Sequence, residues 1–157
     1  MPANPDFMQQ AIDLATDNVL SGRGGPFGAV IVKDGVVIAT GANQVTASND
    51  PTAHAEVTAI RNACQALGTF QLEDCDIYTS CEPCPMCLAA IYWAHCRTIY
   101  FGNNAEDAAS VGFDDAFLYD ELKKPLLDRK IPITCLLPEE AFASFAAWRD
   151  TQAKIKY

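Results

Sequence analysis

Tyr78-Thr79-Ser80-Cys81-Glu82-Pro83-Cys84-Pro85-Met86-Cys87 reads as a short strand running into the first turn of a helix that opens on two thiols three residues apart. That spacing puts both sulfurs on one helical face, and a helix N-terminus favours the thiolate, the form that binds metal. Upstream, His54-Ala55-Glu56 follows Asp50-Pro51, which signals another helix start, with Gly68 as its stop. On a regular helix His54 and Glu56 diverge by roughly 200° at ~3.6 residues per turn. Both can serve one site only if it lies beyond the helix end. Two helix N-termini are therefore expected to converge on one metal ion.

His54, Cys84 and Cys87 give three ligands, the set that leaves the fourth tetrahedral position of a catalytic zinc open to water. Zn²⁺, two thiolates and a neutral imidazole sum to zero charge, which suits an uncharged heterocycle as substrate. Thiolates donate charge to the metal and weaken its acidifying effect on water, so a proton acceptor is needed beside it. Glu56 is the candidate: it takes a proton from the activated water and delivers it to an amino group that leaves as ammonia. A Cys-x-x-Cys pair by itself is more often structural zinc or a redox motif. A structural site would need a fourth ligand, and Cys81, Cys75 and His95 are the alternatives.

Outward from these motifs the chain alternates helix and strand signals. Asn4-Pro5 reads as a helix start, with Met8, Ala11, Ile12, Ala15 and Val19 at helical spacing and Gly22 as the stop. Residues 27–33 and 36–40 read as a hairpin turning at Asp34-Gly35. Residues 43–50 read as a polar loop. The second helix would bury Ala53, Val57, Ile60, Cys64 and Leu67. Strands follow at 76–80 and 98–101, separated by a helix over 83–94, and residues 103–130 hold short helical pieces. Residues 131–136 suggest a last strand, and Pro138-Glu139-Glu140 opens a final helix with Ala141, Phe145 and Trp148 as its apolar stripe. The order predicts an α/β fold with helices on both faces of a sheet. At 157 residues, half of them apolar, the chain has the size of one domain, 1–157, with a core of its own.

Composition narrows the partners. The net charge is −9, and residues 1–118, which hold the whole motif, stand at −10 while residues 119–157 stand at +1. Nucleic-acid binding rests on neutralising phosphates with Lys and Arg, so an acidic catalytic half argues against tRNA or DNA as substrate. Free bases and nucleosides meet no such penalty. Seven cysteines, an odd number, with no basic and apolar leader at the N-terminus, read as thiols or metal ligands in a reducing, cytoplasmic setting. No stretch approaches the ~20 apolar residues of a membrane span.

The His-x-Glu and Pro-Cys-x-x-Cys pair is the signature of zinc nucleobase deaminases. Together with residues 24–35 (Gly-Gly-Pro-Phe-Gly-Ala-Val-Ile-Val-Lys-Asp-Gly), 48–56, Gly112-Phe113-Asp114-Asp115 and the terminal Tyr157, it resembles the bacterial guanine deaminase branch of the cytidine/deoxycytidylate deaminase superfamily over nearly the full chain. The resemblance implies a three-layer α-β-α sandwich around a five-stranded mixed sheet, and one zinc per subunit. It implies hydrolysis of guanine to xanthine and ammonia, with His54, Cys84 and Cys87 as ligands and Glu56 and Asp115 as catalytic residues. It further implies that Asn43, Phe27, Ala55, Trp93, Asp115 and Tyr157 line the purine site. A homodimer that exchanges a C-terminal segment of about 138–157 is implied too.

Each of these residues also has a plain structural reading. Asn43 can be a turn residue, Phe27 and Trp93 core, Asp114-Asp115 a cap, and Tyr157 a free end. His95-Cys96-Arg97 departs from the pattern expected of this branch. Guanosine, cytosine or a triazine remain alternative substrates, with tRNA adenosine disfavoured by charge. A zinc-stabilised binding module is the reading from another class.

Overall fold

Asn4 Oδ1 accepts the Asp6 N–H at 2.9 Å and Pro5 fills the first helical position, so α1 (Pro5–Leu20) begins where its sequence predicts. The computed structural model describes residues 2–156. After α1 come β1 (Gly28–Lys33), β2 (Val36–Ala42), α2 (Val45–Ser48), α3 (Ala55–Leu67), β3 (Cys75–Cys81), α4 (Pro85–Trp93), β4 (Thr98–Asn103) and α5 (Ala105–Ser110). They are followed by α6 (Ala116–Lys123), a 3-10 turn (Leu126–Asp128) and α7 (Pro138–Asp150). The chain forms two compact units, one ending at Ala116 and one starting at Phe117.

In the first unit a mixed sheet has the order β2-β1-β3-β4. The β1–β2 hairpin turns on Asp34 and Gly35, both at positive φ (50° and 77°), the pair of angles a tight hairpin turn demands. β1 and β3 run antiparallel, and β3 and β4 run parallel, joined through α4. Alternation along the strands sorts side chains to two faces. Ala29, Ile31 and Ile77 point to one face and pack with Ala55, Ala59 and Ala63 of α3 and Ile91 of α4. Val30, Val32 and Tyr78 point to the other and meet Ala11 of α1. Helix, sheet and helix thus form the three expected layers.

The helices lie close because the contact residues are small. A Cβ on Gly28 would stand 2.3 Å from Ala11 O, and one on Gly41 2.3 Å from Ala55 O. This proximity also corrects the stripe expected for α3. Its fully buried residues are Ala55, Ala59 and Ala63, while Ile60, Cys64 and Leu67 pack at the margin. Only alanines fit the gap that the close approach leaves. At the start of β3, Asp76 is buried and takes two bonds from Arg97, Nε at 3.0 Å and Nη2 at 2.9 Å, which clamp the entry of β4 to β3.

Three further expectations need correction. Residues 131–136 pair with no strand, so among the described residues the sheet has four strands rather than five. Branched side chains give that stretch β propensity, but a strand exists only where a neighbour completes its ladder. The helix expected from Pro51 starts four residues later, at Ala55, and the loop expected over 43–50 contains the single turn of α2. His95 has a structural role: at φ 57° it ends α4 in the left-handed conformation, with its N–H on Tyr92 O and the Cys96 N–H on Ile91 O.

In the second unit, the Glu121 carboxylate pairs with Lys124 and accepts the Lys130 N–H, closing the turn after α6. Acidic Glu139 and Glu140 open α7 and basic Arg149 stands in its last turn, both favourable to the helix dipole. Neither α6 nor α7 contains a buried residue.

Candidate active site

His54 is the N-cap of α3 (φ −65°, ψ 159°) and Cys84 the N-cap of α4 (φ −63°, ψ 167°). Neither side chain caps its own helix, so both are free to point beyond the helix ends. This resolves the divergence of His54 and Glu56. The histidine departs from an extended residue, Glu56 from the first helical turn, and both reach one point. Cys87, in the first turn of α4, joins them. One ligand atom from each of His54, Cys84 and Cys87 lies within 4.8 Å of the others.

The spacing matches zinc. Bonds of about 2.0 Å to nitrogen and about 2.3 Å to sulfur at tetrahedral angles set N and S about 3.5 Å apart. His54 Nδ1 stands 3.6 Å from Cys84 Sγ and 3.4 Å from Cys87 Sγ. The donor set is the one zinc prefers, and among the described residues it is the only such His/Cys/Asp/Glu group. Cys75, Cys81 and His95 do not join it, which removes the fourth ligand a structural site would need.

The electrostatics favour proton traffic. The interaction with neighbouring Cys87, with help from His54 and against the opposing effect of burial, holds the Cys84 thiol down at about 4. Cys87 is driven up by the same interaction and by burial. His54 is raised, first by its hydrogen bond with Cys84. Glu56 is 5% exposed, and burial raises its carboxyl above the usual range. Its Oε2 lies 3.4 Å from Cys87 Sγ. A buried carboxyl with its proton affinity raised thus stands beside the three residues that could hold a metal, the kind of group that can exchange a proton.

The remaining predicted residues fall in different places. Asn43 is buried, and its Oδ1 accepts the Val45 N–H at 3.2 Å, leaving its amide NH₂ to donate. Phe27 packs edge-on against Phe113, ring centroids 4.9 Å apart. The Phe27 carbonyl accepts the Asn43 N–H at 3.1 Å, which links the two residues. Ala55 is fully buried at the first position of α3, among the helix's first-turn N–H donors. Asp115 is half-buried, and its carboxyl is raised by burial and then by the charge of Cys84, so it lies within electrostatic reach of the ligands. Its neighbour Asp114 takes the capping role, accepting the Ala116 N–H at 2.9 Å. Trp93 stands at the far end of α4, nine residues beyond Cys84, and is 67% exposed. Tyr157 lies outside the described residues.

Sequence reasoning missed Phe113 as the partner of Phe27. It also missed Asn18, a buried amide whose Nδ2 donates to Gly25 O and Asn43 O, both at 2.9 Å. The available signal was a polar residue in phase with Ala11 and Ala15 on the buried side of α1.

Residues 1–103 match the model of the cytidine and deoxycytidylate deaminase zinc-binding region. The chain is 56% identical over 151 residues to guanine deaminase of Bacillus subtilis (strain 168), covering 96% of this chain and 97% of that protein. An X-ray structure of guanine deaminase from Bacillus subtilis superposes with a TM-score of 0.96 at 54% identity, covering 99% of each chain. A tRNA-specific adenosine deaminase of Agrobacterium fabrum is 52% identical over 77 residues, which are 49% of this chain and 51% of that protein. No helix among the described residues is long and apolar enough to cross a membrane.

Proposed function

This chain belongs to the cytidine and deoxycytidylate deaminase family, and we propose that within it the protein hydrolyses guanine to xanthine and ammonia. The observation that carries the reading is the extent of the likeness. The similarity to a guanine deaminase runs through 96% of the chain at 56% identity, whereas the tRNA-specific adenosine deaminases of Agrobacterium fabrum and Aquifex aeolicus match 49% and 68% of it, at 52% and 39% identity. The acidic charge of residues 1–118 points the same way, because an RNA backbone would be repelled.

Zinc held by His54, Cys84 and Cys87 would supply Lewis-acid activation of water. Glu56 accepts a proton from the attacking water and returns it to the exocyclic nitrogen on C2, so the amino group departs as ammonia and the carbon keeps the oxygen. The raised proton affinity that burial gives Glu56 suits both transfers. Asn43, with its Oδ1 engaged by Val45, donates its NH₂ to a purine acceptor. Phe27, braced by Phe113, stacks on the ring, and the Ala55 backbone lines the pocket. Asp115 accepts from guanine N–H donors that adenine and cytosine lack on the matching edge. A site with such a carboxylate rejects bases that would leave it unpaired.

The same reading makes the protein a homodimer of the cytoplasm in which residues of about 138–157 cross to the neighbour, with Tyr157 completing its site. Support comes from α6 and α7, which have apolar side chains but no buried residue. Trp93, distant along α4 from its own ligands, belongs to the same shared pocket.

Zinc-loaded protein offered guanine, guanosine, cytosine, adenine and cytidine should release ammonia from guanine alone. Release from another of these and none from guanine would remove the substrate assignment and leave the metal chemistry standing.

A further inference from the structure

Asn18 is 2% exposed on a helix that contributes no side chain to the metal site. It follows Ala11 and Ala15 on the buried side of α1, where helical periodicity calls for an apolar residue. A buried amide calls for hydrogen-bond partners. Here Nδ2 donates to Gly25 O at 2.9 Å and to Asn43 O at 2.9 Å. The backbone carbonyl of the same residue accepts from Arg23 N at 3.0 Å and Gly24 N at 3.3 Å. Gly24 is pressed into this junction: a Cβ there would stand 2.4 Å from Asn43 O and 2.9 Å from Asn18 Nδ2.

Two chain segments far apart in sequence are joined at this point. From Gly25, whose carbonyl also accepts the Phe27 N–H at 2.9 Å, the chain reaches Phe27. From Phe27 O, the Asn43 N–H closes the circuit at 3.1 Å. One amide therefore fixes the backbone on both sides of the pair assigned to the purine, the stacking ring and the donating amide.

We propose that Asn18 is a positioning residue for purine binding, setting the mutual placement of Phe27 and Asn43 through its two-carbonyl fork. The inference rests on the assignment of Phe27 and Asn43 to the purine site. Asn18 touches neither substrate nor metal, so its loss should weaken guanine binding and spare both the proton transfer and the zinc.

Steady-state kinetics on guanine test this with Asn18→Asp, which keeps the volume but turns a carboxylate toward two carbonyl oxygens, and with Gly24→Ala, which wedges a methyl group into the same junction. Both should raise KM roughly tenfold, with kcat within about threefold of the parent and zinc content unchanged. Asp76→Asn, which breaks a buried ion pair away from the site, serves as the control and should lower the melting temperature with KM unmoved. If Asn18→Asp does not fold, Gly24→Ala carries the test. Asn43→Ala separates the two layers of the argument. A raised KM in Asn43→Ala with parental KM in both Asn18→Asp and Gly24→Ala overturns the positioning role alone. A parental KM in Asn43→Ala overturns the purine-site assignment and the inference with it.

Discussion

Replacing Gly41 by alanine should damage the metal site, although residue 41 holds no ligand. An added Cβ would lie 2.3 Å from Ala55 O, 2.5 Å from Ala59 N and 3.0 Å from Ala59 Cα. The first distance falls 1.1 Å short of the 3.4 Å at which ordinary contact begins. All three neighbours are backbone, so no side chain can swing aside and α3 must retreat as a body by about 1 Å. Overpacking of this kind costs about 1–3 kcal/mol. His54 occupies the N-cap position of α3 and moves with it, while Cys84 and Cys87 stay with α4. The N–S spacings of 3.4 and 3.6 Å that match tetrahedral zinc would open. A misplacement of about 1 Å can reduce turnover roughly a hundredfold. The assay is zinc affinity by chelator competition, followed by guanine turnover and a thermal melt. Gly35→Ala is the comparator: at φ 77° it has backbone strain but nothing within 4 Å, so it should destabilise the hairpin and leave zinc affinity intact. Gly41→Ala that binds zinc as tightly as the parent would refute the argument that close packing of α3 on β2 sets the ligand geometry.

Three further outcomes follow from single contacts. Burial raises the Asp76 carboxyl, but the Arg97 and Thr98 bonds outweigh it and bring the pKa below the ordinary value. Its contribution to stability is therefore present above the unfolded carboxylate pKa of about 3.9 and is lost as pH falls through the lower folded pKa. Asp76→Asn should cost about 1–3 kcal/mol at neutral pH and flatten the acid limb of the stability curve; an unchanged acid limb would contradict the sign. His95→Gly relieves a left-handed φ of 57° at the end of α4, where a side chain costs about 1–2 kcal/mol, and even after the added chain entropy of glycine it should stabilise the fold, read by urea denaturation. Loss of bound zinc in that variant would return His95 to the ligand set. With zinc chelated, iodoacetamide at pH 6 should label Cys84, held down at about 4 chiefly by its interaction with Cys87, ahead of Cys81, pushed by burial to about 11, and Cys96, pushed by burial to about 12. Equal labelling of the three, or no protection by zinc, would count against this ordering.

The metal site was legible because its information is local. Cys84 and Cys87 share a face by spacing alone, and Pro85 marks the helix start beside them. The divergence of roughly 200° between His54 and Glu56 on a regular helix itself points to a helix end, although Pro51 puts the expected start four residues ahead of Ala55. Proline marks a turn there, and the extended backbone of His54 makes it the cap. What sequence could not supply was anything decided by a distant partner. The stretch 131–136 has the residues of a strand but no ladder. The large residues of α3 looked like its core until the gap to β2 proved wide enough only for alanines. Asn18 was passed over because its two carbonyl partners come from residues 25 and 43, which only the fold brings together.

The central claim is a zinc site with a single carboxylate moving the protons, and Glu56→Gln tests it most directly. The amide keeps the size of the side chain and cannot act as the base. Ammonia release from guanine should fall by about 10²–10⁴-fold while zinc stays at one per chain. Turnover near the parental rate with zinc bound would contradict the account at its core.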